Sequence, residues 1–219
     1  MTKEYEPRII GMEELCPFIS DNGPDVNYIS SCVQSLAEPT MLNHSFFTSR
    51  DERTNSMIRR TPPYTFADDR LVEGVVYNRL ARLVGKFLDV SASRLTSPIT
   101  TVGHVYHPGD ESSEAHVDYY PSVTWFLQCS NDGGELVIAK NPVARTIIEI
   151  EEDAWVVKPK NNTIALFDGQ VLPHYVRGVP KSSNLSRVSI NYSFAHECSP
   201  PEFGPDRYLL GKRLEWMNK

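Results

Sequence analysis

The spacing of hydrophobic positions changes near Pro98. Upstream of it, Leu71, Val72, Val75, Val76, Leu80, Leu83, Val84, Phe87 and Leu88 recur with the 3.6-residue period of one helix face, and Asp68 or Asp69 is available as N-cap. This predicts a long amphipathic helix over residues 69–89 that packs its apolar stripe on a sheet. Gly74 and Gly85 weaken its propensity, while Arg79, Arg82 and Lys86 suit the negative end of its dipole. Downstream the period is two, through residues 99–106, 123–129, 135–139, 145–150, 155–158, 163–167, 171–176 and 187–195. The segments between them carry turn chemistry, as in Asn131-Asp132-Gly133-Gly134, Lys140-Asn141-Pro142, Lys160-Asn161-Asn162 and Asp168-Gly169. Short strands at such spacing predict a mainly β fold with flanking helices, its core a double-sheet jelly roll of the cupin type.

The remaining segments are less regular. Residues 15–19 read as a short strand, residues 21–25 as a turn, and residues 26–37 as a helix that stops at Glu38-Pro39. Past Ser199-Pro200-Pro201 the tail offers a short helix around residues 208–217. The expected organisation is one domain over residues 1–219: a mixed N-terminal region to residue 95, the jelly-roll core over 96–196, and a C-terminal tail over 197–219. No repeat or low-complexity segment interrupts it.

Composition removes several function classes. A net charge of -6 argues against a broad phosphate-binding surface, so nucleic acid is not the expected partner. Cys16, Cys32, Cys129 and Cys198 lack CxxC spacing, which indicates neither a zinc knuckle nor a disulfide framework. Reduced thiols, a charged N-terminus and the absence of an apolar run of about 20 residues predict a cytoplasmic protein with no membrane partner.

The stretch from Tyr106 to Tyr120 carries the candidate chemistry. In His116-Val117-Asp118 an extended backbone points an imidazole and a carboxylate to the same face. His174 lies where a barrel brings it to that pair. Two histidines and a carboxylate on one face of an ion leave positions open, as in non-haem iron(II) oxygenases. Such an ion needs electrons from a co-substrate, and a 2-oxo acid supplies them while chelating the metal. Its far carboxylate then needs a fixed cation, for which Arg187-Val188-Ser189 offers a bidentate guanidinium and a neighbouring hydroxyl. With Arg187 inward, Ser189 and Asn191 face the same way; with Tyr106 inward, so does His104. Tyr106 is placed to donate to the same ligand. Lys181 is the competing anchor, in a polar loop. Arg59, Arg60, Tyr64 and the loop 110–115 are candidates for the pocket mouth. His44, His107 and His196 read as ordinary surface or core histidines, Gly133-Gly134 as a hairpin turn, and Trp125, Phe126, Trp155 and Trp216 as either core or pocket wall.

Taken in order, these residues resemble the iron(II) and 2-oxoglutarate dependent dioxygenases, and within them the prolyl 4-hydroxylase-like branch. The resemblance covers residues 55–194. It rests on Arg60-Thr61 through Phe66, Val105 to Gly109 ahead of His116-Val117-Asp118, Gly133-Gly134-Glu135-Leu136, Ala165-Leu166-Phe167, His174 with Val176 and Gly178, and Arg187-Val188-Ser189. It implies a double-stranded β-helix, an iron(II) centre on His116, Asp118 and His174, and a 2-oxoglutarate site on Arg187, Ser189 and Tyr106, with ascorbate an optional addition. The implied activity is oxidation, foremost hydroxylation, of an unactivated C–H in a free amino acid or specialised metabolite, with dioxygen consumed and succinate and carbon dioxide formed. The alternatives are hydroxylation of a prolyl or other residue in a peptide or protein, and a cupin-like metal-binding protein without oxygenase activity. Departures bear on the substrate. The prolyl branch often uses a lysine nearer the distal histidine, whereas Arg187 follows an insertion at 181–185; Ser193 stands where nucleic-acid demethylating relatives carry a second arginine; and Asp118 is present where halogenating relatives have a small residue.

Overall fold

A computed structural model describes residues 6–20, 24–37, 59–61, 76–89, 91, 95–118 and 121–196. Two sheets face each other. The larger has six strands in the order β1-β7-β4-β9-β3-β2, with β1 Arg8–Gly11, β2 Arg59–Arg60, β3 Leu95–Tyr106, β4 Ser122–Gln128, β7 Thr163–Phe167 and β9 Arg187–His196. The smaller runs β6-β5-β8, with β5 Leu136–Ala139, β6 Ala154–Val157 and β8 His174–Val176. All these pairings are antiparallel. This is the expected double-stranded β-helix.

Layering follows from the alternation of side chains along the strands. On the outer face of the large sheet, Val105, Trp125, Leu166, Ile190, Tyr192 and Phe194 join one buried cluster with helices α1 Met12–Leu15, α2 Pro24–Leu36 and α3 Tyr77–Leu88. Between the sheets, Phe126, Leu136, Ile138, Phe167 and Leu172 make a second cluster. On the far side of the small sheet, Val137, Ala139 and Tyr175 pack with Ile150 of helix α4 Ile147–Glu152. The cavity lies between the sheets, beside the second cluster.

Several elements match the sequence reading and several correct it. Helix α2 and strand β7 form where expected. The described part of the long helix is α3, ended by Asp89 in the left-handed conformation at φ 58°; its expected beginning at 69–75 lies outside the described residues, as do the turn residues 21–23, the stop at Glu38-Pro39 and the tail. Residues 145–150 alternate like a strand, yet they form α4. Thr146 accepts from the Glu149 backbone N–H and the Glu149 carboxylate accepts from the Thr146 N–H, a capping box that outweighs the alternation. The strand expected at 15–19 is absent, since Leu15 closes α1 and a turn follows at Pro17; the strand is β1, paired to β7. Cys16 and Ile19 still reach the core. The strand expected at 171–176 begins only at His174, because Val171 and Leu172 both donate to the Asp168 carbonyl and Pro173 has no N–H to give. Strand β3 carries register irregularities around Pro98, where a ladder donor is missing. Cys16, Cys32 and Cys129 are free thiols, and among the described residues no helix is long and apolar enough to cross a membrane.

Candidate metal centre

His116 and Asp118 do not lie on a continuous strand. His116 forms a single antiparallel bridge to His174, each residue donating its backbone N–H to the other's carbonyl at 3.0 and 2.8 Å. The bridge seats the two imidazole rings 4.4 Å apart. Asp118 is tied by its backbone N–H to the Gly169 carbonyl at 2.8 Å. Gly169 is required by space, since a Cβ there would lie 2.6 Å from Asp118 Oδ2. The one-residue separation read from sequence is therefore fixed by a bridge and a turn.

The electrostatics of this group ask for a cation. Nδ1 of His116 lies 2.9 Å from the Glu114 carbonyl and Nδ1 of His174 lies 3.0 Å from the Leu172 carbonyl. A carbonyl only accepts, so both Nδ1 atoms carry a proton, and in a neutral imidazole this leaves the Nε2 lone pair to serve as the ligand. Those Nε2 atoms lie 3.8 and 3.6 Å from the two different oxygens of Asp118. Burial pushes the His174 imidazole down to about 4 despite the neighbouring carboxylate, which keeps it neutral. One ligand atom from each of the three residues, all within 4.8 Å of one another, makes a donor set suited to a metal ion. The His116 side chain is 41% exposed against 6% for His174, so the group is open on the His116 side.

The group lines a small cavity of about 50 Å³, partly open to solvent, whose wall also includes Arg60, His104, Tyr106, Thr124, Arg187 and Asn191. Arg187 is only 2% exposed and lies between aromatic rings, 5.3 Å from the Tyr106 centroid and 5.1 Å from that of Phe126. It donates from one terminal nitrogen to Ser189 Oγ at 3.0 Å, while its Nε has no partner. Burial lowers its pKa, the opposite of what a paired guanidinium shows. Among the described residues it has no carboxylate partner, so this buried cation is suited to an incoming one. Burial also raises the Tyr106 phenol, which stays protonated and hydrogen-bonded with Ser113. His104 is held well below 6.5, first by burial and then by Arg60 and Arg187.

The structure thus brings together His116, Asp118, His174, Arg187 and Tyr106 around one space. Ser189 is fully buried and touches Arg187 rather than the cavity. Lys181 is exposed and lays its stem over Gly109, away from the cavity wall. Arg60 and Ser113 reach that wall, whereas Arg59 pairs with Asp110 at 2.5 Å. His107 bonds Ser186 Oγ at 2.8 Å; His44, Tyr64 and Trp216 lie outside the described residues, as does the side chain of His196. Trp125 is core and Phe126 supports Arg187. Sequence reasoning missed the packing roles of Gly169 and Gly134. At Gly134, φ is +73° and a Cβ would lie 2.8 Å from Arg187 Cδ, so this glycine makes room for the arginine, in a connection that is not the expected hairpin because it links β4 of the large sheet to β5 of the small one. The Gly-Gly pair was its signal.

No protein-family profile matches the chain, and no curated protein resembles it in sequence. Solved structures do. AviO1 from Streptomyces viridochromogenes is 14% identical, with 91% of this chain and 93% of that one covered at a TM-score of 0.57. A Pseudomonas putida prolyl-4-hydroxylase is 15% identical, with 89% and 94% covered at 0.53. EvdO2 from Micromonospora carbonacea is 14% identical, with 68% and 71% covered at 0.50. At such identities the likeness is one of architecture, and the double-stranded β-helix of this chain is the fold it shares with a prolyl 4-hydroxylase.

Proposed function

We propose that the chain is a non-haem iron(II) and 2-oxoglutarate dependent oxygenase that hydroxylates an unactivated C–H of a free amino acid or specialised metabolite. One observation carries the reading: three potential metal ligands converge beside a buried guanidinium that has no carboxylate partner among the described residues. Iron(II) with 2-oxoglutarate and dioxygen supplies the oxidising power, and the products are succinate, carbon dioxide and the alcohol. His116, Asp118 and His174 hold the metal, their tautomers set by the carbonyls of Glu114 and Leu172. Arg187 takes the far carboxylate of 2-oxoglutarate, with Tyr106 donating beside it and Ser189 fixing the guanidinium. The apolar wall of Leu136, Phe167 and Val176 limits water around the reacting carbon.

The fold shared with the Pseudomonas putida prolyl-4-hydroxylase and the exposed side of His116 favour a second reading, hydroxylation of a peptide or protein. The deciding assay follows succinate formation from 2-oxoglutarate with iron(II) and oxygen, stimulated by fractions of small metabolites or of peptides. Stimulation by small molecules is expected; peptide stimulation would promote the second reading. His174→Ala should lower stimulated turnover by more than about 100-fold, because losing a ligand exceeds the 10–100-fold cost of losing a ligand's support. Undiminished turnover in that variant, or no succinate from iron-loaded wild type with any fraction, would overturn the proposal.

A further inference from the structure

Three uncharged polar side chains face the cavity from adjacent strands of the large sheet. Asn191 of β9 lies opposite Thr124 of β4, and the row continues to Ala165 of β7 on one side and Val102 of β3 on the other. Directly opposed residues point to the same side, so all four stand on the inner face, and the apolar ends of the row give Thr124 and Asn191 no partner. His104 stands in the next row, opposite Ser189, which makes it a diagonal neighbour of Asn191 at about 7–8 Å. Thr124, Asn191 and His104 all line the cavity.

None of the three meets its hydrogen-bonding capacity within the protein. Thr124 is only 4% exposed, yet its hydroxyl has no partner among the described residues. Asn191 Oδ1 is buried and equally alone. Burial, and then the neighbouring positive charges, keep the His104 imidazole neutral, so it carries one N–H and one lone pair, and neither is engaged among the described residues. An unmade hydrogen bond at a buried group costs free energy, and three such groups side by side on one wall are the mark of a recognition surface rather than of a core. Each of them can both donate and accept: the threonine hydroxyl, the amide through Nδ2 and Oδ1, and the neutral imidazole. A carboxylate only accepts and an ammonium only donates, so either would leave half of this capacity unmet. A hydroxyl does both from one atom. The Asn191 amide answers it in either orientation, because its oxygen and nitrogen exchange places by a half-turn about the last bond.

We propose that this wall recognises a neutral small molecule with neighbouring hydroxyls, a polyol or a sugar, with one hydroxyl between Thr124 and Asn191 and the next at His104. The direct pair and the diagonal neighbour set that spacing. The inference rests on the oxygenase reading and narrows its substrate class from amino acids and metabolites in general to hydroxyl-rich ones.

The test uses the full chain loaded with manganese(II) and 2-oxoglutarate, without oxygen, and titrated calorimetrically with linear alditols, common pentoses and hexoses and their methyl glycosides, each beside its deoxy analogues, and with L-amino acids and prolyl dipeptides for comparison. At least one polyol or sugar should bind the wild type, and the analogue lacking one of the two neighbouring hydroxyls should bind about tenfold more weakly. Thr124→Val, which keeps the shape and removes the hydroxyl, should weaken the same ligand by about the same factor, as should His104→Leu. His104→Gln, which restores a donor and an acceptor, should recover most of that loss, and the unfolding midpoint and 2-oxoglutarate affinity of every variant should stay near those of the wild type. Equal binding of the ligand and its deoxy analogues, full affinity in both Thr124→Val and His104→Leu, tighter binding of amino acids or dipeptides than of any polyol or sugar, or no polyol or sugar bound by protein that takes up manganese and 2-oxoglutarate would overturn the inference and leave the oxygenase reading standing. A loss of 2-oxoglutarate affinity in Thr124→Val or His104→Leu would assign the wall to the co-substrate, which also overturns it. Failure of the wild type to take up metal or 2-oxoglutarate would remove the oxygenase reading itself, and the inference with it.

Discussion

The two faces of strand β9 obey opposite rules. Outward, Val188, Ile190, Tyr192 and Phe194 are each 0% exposed and merge with the core beneath the helices. Inward, Arg187, Ser189 and Asn191 alternate with them, and there the strand buries a guanidinium that finds no carboxylate, and an amide oxygen that finds no donor, among the described residues. Unpartnered buried polar groups cost free energy, about 1–3 kcal/mol each. The outward face supplies it: fully burying a side chain of the size of Val or Ile is worth about 1.5–3 kcal/mol. One ten-residue strand thus carries both the stability of the fold and the polar lining of the cavity, with a period of two keeping the roles apart. A slip of one residue would exchange them, and the pairing of β9 to β4 and β3 on both sides forbids it.

The largest effect separates the faces by stability. Ile190→Ala leaves a hole in a fully buried cluster and should cost about 2–5 kcal/mol, while the 2-oxoglutarate affinity of the folded, metal-loaded protein stays unchanged. Chemical denaturation checks the first part and calorimetry below the transition the second. A fall in affinity larger than the loss of folded protein would show that the outward face also shapes the site, and the division of labour would fail.

This division was legible in the sequence because both faces of a strand leave a record there. The alternation in residues 187–195 gave the inward set Arg187, Ser189 and Asn191, and that in residues 99–106 gave His104 and Tyr106. His174 is read from its residue type, its place between two strand-like runs and the resemblance, while its ring is brought to His116 by one bridge that no local pattern announces. What stayed hidden was decided by tertiary contacts or by competing local chemistry. Residues 145–150 alternate like a strand, but the Thr146–Glu149 capping box makes them helical. Gly134 and Gly169 read as turn glycines, and only the folded chain reveals that each leaves space for a functional side chain.

Gly134 sharpens the comparison on the inward face. Its φ of +73° and the 2.8 Å approach to Arg187 Cδ mean that an added methyl group both strains the turn and pushes the arginine. Gly134→Ala should therefore weaken 2-oxoglutarate about tenfold, a shift of about 1.4 kcal/mol. Gly133→Ala is the counterpart, since its φ is +72° but its Cβ would meet the Gly178 carbonyl and Pro180 instead. That variant should lose stability and keep 2-oxoglutarate affinity. Equal affinities in the two variants would show that Arg187 adjusts freely and that Gly134 serves only the turn.

The smallest effect comes from strand β8, which shows the same contrast with its own arginine. His174 faces the cavity, Tyr175 faces away, and just past the strand Arg177 is paired with Glu151 of α4 by contacts of 2.7 to 3.1 Å. The Arg177 guanidinium, and then the Tyr175 hydroxyl, hold the Glu151 carboxyl below its usual value of 4.5. A carboxyl with a depressed folded-state pKa adds stability above its unfolded pKa and loses that contribution as pH falls through the folded one. Solvent screens this pair, so its contribution is about 0.5 kcal/mol. Glu151→Gln should thus be less stable than the wild type by about that amount at neutral pH, and the gap should close once the pH has fallen well below 4.5. Denaturation midpoints at neutral and acid pH measure it, preferably at low salt where screening is weakest. A gap that persists unchanged into acid would mean that Glu151 contributes through packing rather than charge. In that case Arg177 would no longer stand as the exposed, paired opposite of Arg187.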